Sequence, residues 1–83
     1  DEFVSTRERL VGHVERIKGD IIKCRAESKE FYDLYMNATD GNNAEYLEFH
    51  HKWETQLEIS LKALASAEEA VLGLERRVAQ LRS

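Results

Sequence analysis

The sequence predicts an all-α fold, an antiparallel two-helix coiled-coil hairpin that pairs with a second copy into a four-helix bundle. Three observations carry this. Apolar residues recur at alternating spacings of four and three through both halves of the chain. A single central stretch, Asn37-Ala38-Thr39-Asp40-Gly41-Asn42-Asn43, breaks that pattern with turn-forming residues. The 83 residues include no proline and 34% charged side chains, a composition that suits long solvated helices and disfavours sheets.

The first helix is expected over about 5–36, or from a turn earlier, where Ser5 and Glu8 have the spacing of a capping box. Its stripe runs Phe3, Arg7, Leu10, Val14, Ile17, Ile21, Cys24, Ser28, Phe31 and Tyr35 without a slip, and only Arg7 and Ser28 are polar. The turn covers 37–43, with Gly41 suited to a left-handed backbone and Asn42 with Glu45 forming a second capping box. Helix two is expected over about 43–81, its stripe running Tyr46, His50, Trp53, Leu57, Ser60, Leu64, Ala67, Val71, Leu74, Val78 and Leu81.

Folding the chain at the turn sets each a position of one helix level with a d position of the other. This register places Leu10 beside Val71, Val14 beside Ala67, Ile17 beside Leu64, Ile21 beside Ser60, Cys24 beside Leu57, Ser28 beneath Trp53, Phe31 beside His50 and Tyr35 beside Tyr46. Arg7 with Leu74 and Phe3 with Val78 close the open end. Lys18 and Arg25 then face an e row carrying Glu54, Glu68 and Glu75, with Arg25 and Glu54 the best-placed pair. The eleven residues from Tyr35 to Tyr46 could also be a stutter in one continuous helix of a parallel dimer. Gly41 and its Asp and Asn neighbours are poor helix formers, which favours the hairpin.

Function is bounded mostly by exclusion. A net charge of −4 offers no basic field for nucleic acid or an anionic membrane surface. No apolar run is long enough to span a bilayer. One cysteine forms no internal disulfide, which points to a reducing cytoplasmic or nuclear setting. At a d position Cys24 reads as a small apolar filler, and the Asn37-Ala38-Thr39 sequon reads as chance. The chain opens on Asp1-Glu2-Phe3, so it is expected to be a single-domain segment of a longer protein.

Nothing in the sequence assembles a catalytic site, a small-molecule substrate site or a cofactor site. His13, His50 and His51 invite a metal reading, but neighbouring helical residues point about 100° apart. On that ground His50 and His51 are not expected to share an ion, and His50 with Glu54 supplies only two ligands. The acidic pairs Glu68-Glu69 and Asp1-Glu2 read as solvated faces. Phe31, Tyr32, Tyr35, Tyr46, Phe49 and Trp53 read as one aromatic cluster locking the closed end.

The remaining signal is apolar surface beyond the seam. The flank formed by the e and b positions of both helices is richer in apolar residues than the g and c flank. On it Val11, Ile22, Leu61, Ala65 and Leu72 are expected to form a mid-length patch. The expected function is a protein–protein interaction module, a homodimerisation or scaffold segment. The alternative is an adaptor hairpin whose e/b flank receives a helix, a small GTPase or a motor adaptor.

Overall fold

A computed structural model describes residues 2–82; Asp1, half of one acidic pair, lies outside them. Two α-helices make up the fold: α1 (Glu2–Asn37) and α2 (Asn43–Arg82). Among the described residues there is no strand. A helix of 40 residues is about 60 Å long, and the whole molecule measures 65 × 16 × 12 Å. Its length is therefore that of one helix with the other lying alongside, since the two end to end would need roughly twice as much.

Burial follows the seam. Val14, Ile17, Ile21, Cys24 and Ser28 of α1 and Ser60 and Ala67 of α2 are buried, all at a or d positions. Leu57, Leu64 and Val71 pack against the core of Val14, Ile17, Ile21 and Ala67. Leu10, Phe31, Tyr35, Tyr46, Trp53, Leu74 and Val78 are half-buried, as are His50 and Phe3. The seam fades at its open end, where Arg7 is exposed and Leu81 is 81% exposed. With a single partner, each helix can bury only one stripe, and no described side chain is fully enclosed.

Three details of the sequence reading need correction. The first helix begins at Glu2, so Ser5 and Glu8 lie inside it and do not cap it. The apolar stripe already includes Phe3, and Glu2 in the first turn complements the helix dipole. The layers near the turn also shift: Phe31 meets Phe49 with ring centroids 5.2 Å apart, and His50 turns back to Ser28. An apolar ring gains from another ring, while an imidazole in a seam needs hydrogen-bonding partners, so the two side chains divide the space. Thirdly, the aromatic residues form two groups: Phe31, Phe49 and Trp53 line one concavity, and Tyr32 stacks obliquely with Tyr35 and His50 elsewhere.

The turn is held by side chains. Gly41 has φ of 84°, a left-handed conformation that a Cβ would strain. Asp40 Oδ1 accepts from the Asn42 amide at 3.0 Å, and its Oδ2 accepts from the Tyr46 hydroxyl at 3.0 Å. The Asn42 carbonyl accepts the Tyr46 amide, opening α2. Asn43 Nδ2 donates to the carbonyl oxygens of Tyr35 at 2.8 Å and Ala38 at 3.3 Å. The first side chain of α2 thus satisfies carbonyls that the end of α1 leaves without partners.

Candidate interaction surface

Ten large apolar side chains are more than a third exposed, and their distribution is uneven. Val4, Ile22, Tyr32, Met36, Leu61 and Leu72 lie at e or b positions, against Leu34, Phe49 and Ile59 at g or c. Of the expected patch, Ile22 is 70%, Leu72 50% and Leu61 41% exposed. Ala65 is exposed and Val11 half-buried. Val11 and Leu72 come together as walls of one shallow groove floored by Val14 and Val71. Ile22, Leu61 and Ala65 do not line that groove; they lie nearer the turn on the same flank.

Charges edge this surface. Lys18, Glu15, Glu68 and Glu75 ring the Val11–Leu72 groove. Lys18 pairs with Glu15 at 3.7 Å along its own helix, and Arg7 crosses to Glu75 at 3.4 Å. The expected Arg25–Glu54 pair is displaced, because Glu54 is already occupied by the two histidines of its own helix. Sequence reasoning missed this since it counted only partners across the seam; the i+3 and i+4 spacings were the available signal.

At the turn end of the same flank, His50 is anchored. Its Nδ1 donates to the Ser28 carbonyl oxygen at 2.8 Å and lies 3.1 Å from the Ser28 hydroxyl. Its Nε2 is 2.7 Å from Glu54 Oε1, and His51 Nδ1 is 3.3 Å from the same oxygen. Both histidines meet at one oxygen of Glu54, a convergence that their own directions on the helix do not reveal. On a helical wheel Glu54 falls about 40° round from His50, between it and His51 at 100°, so each ring leans toward the residue between them.

Two groups at the turn titrate away from their ordinary values. The Asn42 amide and the Tyr46 hydroxyl, both donating to Asp40, hold its carboxyl below 3.8. The same carboxylate, by accepting from Tyr46, raises that phenol above 10.0. Cys24 is buried in the seam and carries a free thiol. Among the described residues no helix is long and apolar enough to cross a membrane.

The chain matches no known family model, curated protein or solved structure. Its role therefore has to be argued from the surface just described.

Proposed function

We propose that the hairpin is a cytoplasmic protein–protein interaction module that pairs through its e/b flank, with a second copy as the partner that completes a four-helix bundle. The observation that carries this reading is the amount of surface left over. A compact chain of 9.6 kDa would expose about 5,100 Å², whereas this one exposes 6358 Å². The excess of roughly 1,200 Å² is larger than the ~800 Å² that one partner contributes to a standard interface.

Charge favours a second copy over an unrelated helix. On the e/b flank toward the turn, α1 carries Lys18, Arg25 and Lys29 and α2 carries Glu54 and Glu58; toward the open end, Glu8 and Glu15 of α1 lie at about the level of Glu75 and Glu68 of α2. A two-fold axis parallel to the helices lays α1 of one copy over α2 of the other at unchanged level. The basic stretch near the turn of each copy then meets Glu54 and Glu58 of its partner, and Ile22, Leu61 and Leu72 face inward beside them. The buried free thiol of Cys24 suits a reducing compartment.

Sedimentation equilibrium of the chain at micromolar to high micromolar concentration is the test. A dimer is expected, reverting to monomer on combined Leu61→Glu and Leu72→Glu with helicity retained. A monomer throughout would overturn the homodimer and leave the flank to a different partner.

A further inference from the structure

We propose that His50, His51 and Glu54 form a binding site for a divalent transition-metal cation of zinc-like preference. The three residues lie at the turn end of the e/b flank, so zinc binding and pairing draw on the same Glu54 carboxylate, and zinc uptake is read equally on the Leu61→Glu, Leu72→Glu variant. A backbone carbonyl oxygen can only accept, so the 2.8 Å contact of His50 Nδ1 with the Ser28 carbonyl places the ring proton on Nδ1. The other ring nitrogen, Nε2, faces the carboxylate oxygen of Glu54 at 2.7 Å. Two electron-rich atoms at that separation call for a positive species between or beside them. A proton on Nε2 meets this need, and so does a metal cation.

The third donor makes the cation a metal. His51 Nδ1 lies 3.3 Å from the same Glu54 oxygen, and one donor atom from each of the three residues falls within a 4.8 Å spread. Tetrahedral zinc with bonds of about 2.0 to 2.2 Å holds its ligand atoms roughly 3.3 Å apart, a geometry that a slight retreat of Glu54 from His50 and small rotations of the two rings bring within reach of the present 4.8 Å spread. Glu54 and His51 have side chains 51% and 65% exposed, so that adjustment meets little resistance. Two imidazoles and one carboxylate are a zinc donor set that leaves a fourth position open to water or to a group from elsewhere.

The site is also braced from outside. The proton of His50 held by a carbonyl of the opposite helix is the outer-shell bond that fixes tautomer and ring orientation for a metal-ligating histidine. His50 is the least exposed of the three, with a side chain 15% exposed. Because its ring ties α2 to α1, metal binding at Nε2 favours the closed hairpin over the open chain.

Isothermal titration of zinc chloride into the 83-residue chain at pH 7.5 tests the proposal, with thermal melts in zinc and in chelator alongside. One zinc per chain and a rise in melting temperature are expected. His51→Gln and Glu54→Gln, both exposed and outside the seam, should each weaken binding by about tenfold or more and abolish the thermal shift, with helicity unchanged by circular dichroism. Cys24→Ala should bind as the parent does, and cobalt in place of zinc should give visible bands without thiolate charge transfer. No zinc uptake would overturn the site and leave a proton between His50 and Glu54. So would His51→Gln and Glu54→Gln variants that bind zinc as tightly as the parent.

Discussion

Individual side chains in this molecule matter most where the backbone cannot serve itself. At the turn, Asp40 receives two hydrogen bonds and sits below its ordinary value, so its contribution is fully present above 3.8 and is lost as pH falls through the lowered value. The stability gap between the parent and Asp40→Asn, followed by urea unfolding, should therefore be constant near neutrality and close as pH falls below 3.8 through the lowered value. Tyr46 behaves in the opposite sense: the bond from its phenol persists below 10.0 and is lost as pH rises through the raised value. Tyr46→Phe should shrink both the acid and the alkaline response.

Glycines give a second residue-scale contrast. Gly19 lies exposed inside α1, and a Cβ there would touch nothing within 4 Å. Gly19→Ala should stabilise the hairpin by roughly 0.5–1 kcal/mol, through fewer unfolded conformations and better helix propensity. Gly41→Ala should instead destabilise by about 1 kcal/mol, because Gly41 has φ of 84°. The urea midpoint of each variant, at constant slope, is the measurement.

On the scale of the helices, the seam is strong in its middle and weak at its open end. Ile17 is 6% exposed and packs within the core, whereas Val78 is only half-buried. Ile17→Ala should cost about 2–5 kcal/mol, enough to unfold a marginal hairpin, and Val78→Ala distinctly less, both read by loss of helical circular dichroism on heating. The paired helices were legible in the sequence because a spacing of four and three forces one stripe, from Leu10 to Tyr35 and from Tyr46 to Val78, to a common side. Gly41 and its Asn and Asp neighbours marked the turn for an equally local reason.

The helix-level reading failed where two side chains compete for one place. Periodicity assigns Phe31 and His50 to the same layer, but it does not know that an imidazole seeks the Ser28 carbonyl while a phenyl ring seeks Phe49. Likewise Glu54 was matched with Arg25 across the seam, although His50 and His51 stand nearer along the helix. The Ser5–Glu8 capping box misled because spacing alone cannot tell a cap from a pair of residues inside a longer helix. The histidine–carboxylate cluster was hidden by weighing His50 with His51 and His50 with Glu54 as separate pairs instead of as one trio.

For the molecule as a whole, shape governs. A globular chain of this length has a radius of gyration of about 12 Å, and this one has 18.8 Å. A rod of one layer has little interior, so stability rests on one seam and on whatever covers the flanks. If the e/b flank pairs as proposed, melting temperature should rise with protein concentration, and this dependence should vanish for the Leu61→Glu, Leu72→Glu variant. A melting temperature flat across a hundredfold dilution range would weigh against self-association.

The antiparallel arrangement sets Glu2 and Arg82 at one end of a 65 Å rod and the Asp40–Gly41 turn at the other. Tension applied between Glu2 and Arg82 therefore acts across the helices, not along them. It loads the outermost layer around Phe3 and Val78 first, then the Arg7–Glu75 contact, then one layer after another, and the tight turn last. Held this way the hairpin opens like a zipper at low force, through a series of small steps; pulled lengthwise from opposite ends, the same seam would have to shear at once.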